Sequence, residues 1–280
     1  MAERMSSRSY PPAGHTITEA MAKALVSGDY GRESVKIVQN CCFPIYWSAE
    51  RDGRRRILNN GSVTLLRTSE RLLGVTAAHV VRGYKAALQE ETRVQLQLGN
   101  LGLDDITDRL IAMTSLVVSE GSEGERVESN GIDLATFEVR EEELLRLDRS
   151  AVPLNSWPPL PPEIGSGIML AGWPGKARTE RGPEDVDFLG FYALGIAQTV
   201  NHDQITFQVS REHDVTPVDR QLPAGYDLGG ISGGPMVAAF ELSNFVTFRL
   251  CGIIVDGWAE AEYVIARRAE FIQADGSISS

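Results

Sequence analysis

The run Gly229-Gly230-Ile231-Ser232-Gly233-Gly234-Pro235 sets four glycines around one serine and ends on a proline. Only residues without a Cβ reach the unusual dihedrals that turn successive amides toward one point and let another backbone come close. The hydroxyl of Ser232 can project from such a turn while neighbouring N–H groups stay unhindered. A nucleophile with its own oxyanion hole has this form; by itself, so does a simple glycine-rich turn.

Two further segments give the serine company. Thr76-Ala77-Ala78-His79 follows an apolar, strand-forming run from Ser62 to Val75, so His79 is expected just past a strand end, flanked by small residues. Gly131-Ile132-Asp133-Leu134-Ala135 puts a carboxylate at the entry to the strand-like run Leu134 to Val139. Separately, a histidine there reads as structural and an aspartate before a strand as a turn residue. Together His79, Asp133 and Ser232 supply the base, the orienting group and the nucleophile that acyl transfer by serine requires.

With Thr76-Ala77-Ala78-His79, Asp133-Leu134-Ala135 and Gly230-Ile231-Ser232-Gly233-Gly234-Pro235 in this order, the chain resembles the chymotrypsin-like (trypsin-like) serine peptidases between about Val35 and Ile272. The separations of 54 residues from His79 to Asp133 and 99 from Asp133 to Ser232 suit two barrels with modest loops. The resemblance implies an all-β fold of two six-stranded antiparallel Greek-key β-barrels. It also implies catalysis by His79, Asp133 and Ser232, with the amides of Gly230 and Ser232 as the oxyanion hole.

Length and composition bound the alternatives. A chain of 280 residues with 42% apolar content can bury two modest cores. Its net charge of −11 repels nucleic acid and anionic membrane surfaces. The first twenty residues carry no apolar signal core and no run is long enough for a membrane span, so the chain is expected to be cytoplasmic. Three cysteines, Cys41, Cys42 and Cys251, read as reduced core thiols rather than a disulfide framework. His202-Asp203 and His213-Asp214 lack the spacing of a metal site, so neither metal nor cofactor is expected.

Three parts follow along the chain: residues 1–34, an extension with a short helical stripe at Ile17, Ala20, Met21, Ala24 and Leu25; residues 35–150, a first barrel; and residues 151–280, a crossover, a second barrel and a tail. Val35 to Trp47 reads as the first strand, Asp52-Gly53 as a turn beside the exposed Arg54-Arg55-Arg56, Val80 to Glu90 and Glu141 to Leu147 as short helices, and Arg93 to Leu98 as a half-buried strand. The acidic stretch Ser119 to Asn130 reads as a mobile loop, and the prolines from Pro153 to Pro162 as the crossover between barrels. Runs at 167–171, 188–197, 204–209, 236–240, 246–255 and 262–265 supply the second barrel. No repeat is visible.

Ile231 departs from the family pattern, which often has an aspartate there to receive a new N-terminus after cleavage. Activation by that route is not expected, and the loop with Gly229-Gly230 is expected to be ordered by substrate or by a regulatory protein partner. Family register puts Tyr226 near the floor of the primary pocket, Val255-Asp256-Gly257 along one wall and Tyr263 where it shortens the pocket; Asp227 facing inward would instead favour a basic side chain. The expected function is a cytoplasmic serine endopeptidase acting on peptide or protein substrates. A protease-fold binding or sensor module, and an esterase using the same site, are the alternatives.

Overall fold

Asp52 and Gly53 both take left-handed backbone, with φ of 54° and 69°, the two-residue turn whose twist matches antiparallel strands. From it β1 (Cys42–Arg51) pairs with β2 (Arg54–Arg67). The computed structural model describes residues 29–114, 117–120, 126–129, 131–153, 161–181, 186–208, 226–242, 245–258 and 263–279. β3 (Leu72–Ala77) lies beside β2, while β4 (Gln95–Leu98) and β5 (Leu101–Leu103) extend the sheet beyond β1. β6 (Leu110–Met113) is followed by a separate hairpin of β7 (Val117–Glu120) and β8 (Arg126–Ser129), and β9 (Leu134–Glu138) inserts between β3 and β6. A short parallel pairing of β10 (Val152–Pro153) with β2 completes an eight-stranded sheet.

Beyond it come β11 (Gly167–Gly172), a hairpin of β12 (Arg178–Glu180) and β13 (Val186–Phe188), then β14 (Phe191–Val200), β15 (Gln204–Gln208), β16 (Pro235–Leu242), β17 (Phe245–Trp258) and β18 (Tyr263–Arg268). Six of these close into a barrel in the order β11-β14-β15-β18-β17-β16. The N-terminal sheet follows the same scheme: β1, β2 and β3 side by side, β9 beside β3, β6 beside β9, and β4 back beside β1. It differs at the seam, where β16 pairs with β17 in the barrel but β5 and β6 remain edges of the N-terminal sheet. The fold is therefore mostly β, with one closed barrel and one curled, open sheet; of the two six-stranded barrels expected, one closes. The strands flanking the open seam are only three and four residues long, which leaves few ladder positions to close it.

Two cores explain why several strands read as unbroken apolar runs. Along β11, Ile168 and Leu170 point into the barrel, while Met169 and Ala171 join the larger core that fills the N-terminal sheet. Met236 and Ala238 of β16 face inward in the same way, and Val237 faces outward. A strand alternates its side chains between its two faces, so one covered on both sides has no polar face left.

Among the described residues three α-helices flank the sheets: α1 (Asp29–Cys41), α2 (Ala78–Glu90) and α3 (Glu141–Leu147). α1 occupies the start of the segment expected to be the first strand and runs across residue 34. Val35, Val38 and Cys41 recur every three residues and are all buried, a helical face that their strand-forming composition conceals. The acidic stretch expected to be a mobile loop contributes most of the β7–β8 hairpin, and the stripe at residues 17–25 lies outside the described residues. Among the described residues no helix is long and apolar enough to cross a membrane.

Cys41, Cys42 and Cys251 are free and buried. Burial pushes the Cys41 thiol from about 9 up to about 12 and also raises Cys42 and Cys251; burial first, then Asp105, pushes Tyr84 up to about 12. All four groups keep their protons to higher pH when folded, so unfolding releases protons between about pH 9 and 12 and stability should fall across that window. Urea midpoints at pH 8 and pH 10.5 check this; equal midpoints would refute it. At pH 8 the native thiols should resist a thiol reagent that modifies them in urea.

Candidate active site

Asp133 joins three structures at once. It has left-handed backbone, with φ of 51°, a conformation that aspartate tolerates better than most residues, and this turns the chain from Gly131 into β9. The strand β3 ends at Ala77 and α2 begins with no side-chain cap of its own. Asp133 supplies the missing acceptors: its carbonyl receives the amide of Ala78 at 3.0 Å, and its Oδ1 receives the amide of His79 at 3.0 Å. A carboxylate at a helix N-terminus is favoured by the unpaired amides and the dipole there.

The same carboxylate orients the imidazole. Oδ2 lies 2.7 Å from Nδ1 of His79, and Nη2 of Arg82 donates to Oδ1 at 2.8 Å. The Asp133 side chain is 2% exposed while that of His79 is 40% exposed, so the ring is held from the inside and open on the other. With Nδ1–H donating to the carboxylate, neutral His79 presents Nε2 as an acceptor. Arg82 stands one helical turn after His79, and that spacing is the sequence signal by which it could have been found.

The serine loop is tied to β17, through the Gly233 amide to the Ile254 carbonyl at 2.7 Å and the Ile254 amide to the Gly234 carbonyl at 2.8 Å, and to β2. Asn60, Ser62 and Thr64 alternate along this strand and are all buried. Asn60 Nδ2 donates to the carbonyl of Trp173 at 3.0 Å, Ser62 Oγ to that of Gly230 at 2.8 Å, and Thr64 Oγ1 to that of Gly233 at 2.8 Å. The Ser62 amide donates to the Ser232 carbonyl at 2.8 Å. Gly233 needs to be glycine on two counts: its φ is 97°, and an added Cβ would overlap the carbonyl oxygen of Ser62. A side chain at Gly61 would come within 2.8 Å of both Val80 methyls and 3.4 Å of the Ser232 carbonyl. The helix carrying His79 and the loop carrying Ser232 thus meet on adjacent residues of one strand.

The carbonyl of Gly229 accepts from the Gly175 amide at 2.7 Å, and that of Ile231 from the Gly234 amide at 2.9 Å. Because N–H and C=O point opposite ways in a trans peptide, the amides of Gly230 and Ser232 are directed away from these anchors. Among the described residues neither amide has a protein acceptor. Two such N–H groups flanking a hydroxyl can receive one anionic or carbonyl oxygen. The Ser232 hydroxyl itself donates to the Val255 carbonyl at 3.3 Å.

The expected pocket residues are dispersed in environment. Tyr226 packs against the barrel core, and Val255 is buried. Asp256 is exposed and its Oδ1 accepts from the amide of Gly257, where an added Cβ would come 3.3 Å from Ile231 and 3.4 Å from Leu228. Asp227 is also exposed: Oδ1 takes the Gly229 amide at 2.8 Å and Oδ2 lies 3.3 Å from Lys176 Nζ. The Gly229 amide, aided by Lys176, holds its carboxyl below the usual carboxylate range. Tyr263 is 39% exposed at the start of β18. Among the described residues no cluster of three or more potential metal ligands forms, and His202 Nδ1 lies 2.7 Å from the Asp203 carboxylate.

No family model and no curated protein matches this chain.

Asp133→Ala should lower stability by about 2–4 kcal/mol, because it uncaps α2 and removes the carboxylate that Arg82 neutralises. Asp133→Asn keeps an acceptor for the His79 amide and should cost less. Urea denaturation of both variants measures the difference, and a loss below about 1 kcal/mol for Asp133→Ala would show that the carboxylate does not hold the helix start.

Proposed function

We propose that the chain is a serine endopeptidase of chymotrypsin-like fold, with two related barrels of which the N-terminal one is open at a seam. The shared strand order of the two sheets supports the fold, and the placement of His79 after β3, Asp133 before β9 and Ser232 before β16 supports the site. The observation that carries the function is the His79–Asp133 hydrogen bond of 2.7 Å beside a serine loop with two unengaged amides.

In this reading the Ser232 hydroxyl leaves the Val255 carbonyl and attacks a substrate carbonyl carbon while Nε2 of His79 takes its proton. The amides of Gly230 and Ser232 receive the resulting oxyanion; one such donor is worth on the order of 10² to 10³ in rate. Protonated His79 then gives the proton to the leaving amine as the C–N bond breaks, and an ester to Ser232 Oγ remains. Water, deprotonated by His79, hydrolyses that ester and regenerates the hydroxyl. Asp133 accepts the Nδ1–H throughout and holds the ring in its working tautomer.

A net charge of −11 and three buried free thiols support a cytoplasmic setting with peptide or protein substrates, not nucleic acid or membrane. The second reading, a protease-fold binding or sensor module, is favoured by one contact: the Ser232 hydroxyl donates to Val255. In that case the hydroxyl remains with the carbonyl when peptide binds.

A fluorophosphonate probe separates the two. The full-length, uncleaved protein, verified by intact mass, should label at Ser232, and Ser232→Ala and His79→Ala should not label. Asp133→Asn should fall roughly 10⁴-fold, its imidazole left in the wrong tautomer. Peptide binding without labelling would establish the module instead, and labelling that begins only after N-terminal cleavage would overturn activity of the intact chain.

A further inference from the structure

Gly229-Gly230 is the softest point of the serine loop, since the peptide between them can rotate at little steric cost. Rotating it would carry the Gly230 N–H away from the site and bring the Gly229 carbonyl in. The amide of Gly175 opposes that rotation by holding the Gly229 carbonyl at 2.7 Å. Gly175 is in turn placed from β2. Asn60 Nδ2 holds the Trp173 carbonyl at 3.0 Å, and the Trp173 amide donates to Ser62 Oγ at 2.9 Å. That hydroxyl in turn donates a hydrogen bond to the Gly230 carbonyl, the next one along the loop, at 2.8 Å. A single buried hydroxyl thus ties the loop bearing Gly230 to the segment that fixes its orientation.

We propose that the buried polar stripe Asn60-Ser62-Thr64 of β2, acting through Trp173 and Gly175, holds the oxyanion-donating amides of Gly230 and Ser232 in place without cleavage, substrate or partner. The inference rests on the serine endopeptidase reading above. Ile231 completes the arrangement: it is 1% exposed, and an added Cβ at Gly172 would lie 2.6 Å from its own Cβ. Apolar burial thus anchors the residue before the serine, a position where a carboxylate would need a cation. The groups that Asn60, Ser62 and Thr64 engage are neutral backbone carbonyls and an amide, and the nearby Asp227 carboxylate, which accepts from the Gly229 amide, is already paired with Lys176. Asn60, Ser62 and Thr64 are positioning residues; none needs to touch substrate.

The test is the second-order rate of fluorophosphonate acylation at Ser232, read well below the melting temperature, because the phosphoryl oxygen of the probe occupies the position of the oxyanion. Ser62→Ala should slow acylation at least tenfold, and Ser62→Thr, which restores a hydroxyl, should recover most of it. The near-isosteric Thr64→Val, which frees the Gly233 carbonyl, should slow it severalfold and provides the test should Ser62→Ala not fold. A folded Ser62→Ala that labels at the wild-type rate would overturn the stripe's role while leaving the peptidase reading intact. Ser62→Thr as slow as Ser62→Ala would also overturn it, since packing and not the hydroxyl would then matter. Wild-type protein that does not label would overturn both readings.

Discussion

The Asp133 carboxylate is the interaction on which the rest of the site depends. A buried charge is tolerated only when its acceptor capacity is filled, and here the filling groups are the His79 amide, the His79 ring and the Arg82 guanidinium. These all come from α2, whereas Asp133 belongs to the turn before β9. Satisfying one carboxylate therefore fixes the start of a helix, the plane of an imidazole and the junction of two neighbouring strands. The direction of causation runs from electrostatics to architecture: the cost of leaving that charge unpaired makes the helix begin at Ala78.

β2 plays the complementary part on the serine side. Most of its second half is buried, yet every other residue from Asn60 to Thr64 is polar. Each polar side chain meets a carbonyl of the C-terminal half of the chain. Such buried donors specify a single arrangement better than apolar contacts do, because sliding by one residue would leave several groups unsatisfied. Hydrogen bonds here select the geometry that the apolar interface between the sheets stabilises.

The sequence made some of this legible and hid the rest. His79, Asp133 and Ser232 stand out because glycine and small residues around them are needed locally, and β11 and the first half of β16 keep near-continuous apolar character because both of their faces are covered, whereas β15 alternates. The helical register of Val35, Val38 and Cys41 was obscured by residues that favour strands equally well. The partners of Asp227 were not legible either, since Lys176 lies 51 positions away and the pairing is a matter of tertiary approach. Asn60, Ser62 and Thr64 carried a readable signal, a period-two polar stripe in an apolar run, but its recipients are more than a hundred residues distant.

The described C-terminal residues do not stay with the barrel that precedes them. Phe271 and Ile272 join the core of the N-terminal sheet, Thr68 Oγ1 donates to the carbonyl of Ala274 at 2.6 Å, and Thr136 Oγ1 donates to that of Gly276. Contacts spanning 206 and 140 positions raise the contact order of the N-terminal sheet, and such contacts form late because long loops must close first. During synthesis, β1 to β9 must wait for some of their last packing partners until the whole barrel has been made. The two sheets have separate strand ladders, but as folding units they share their final step.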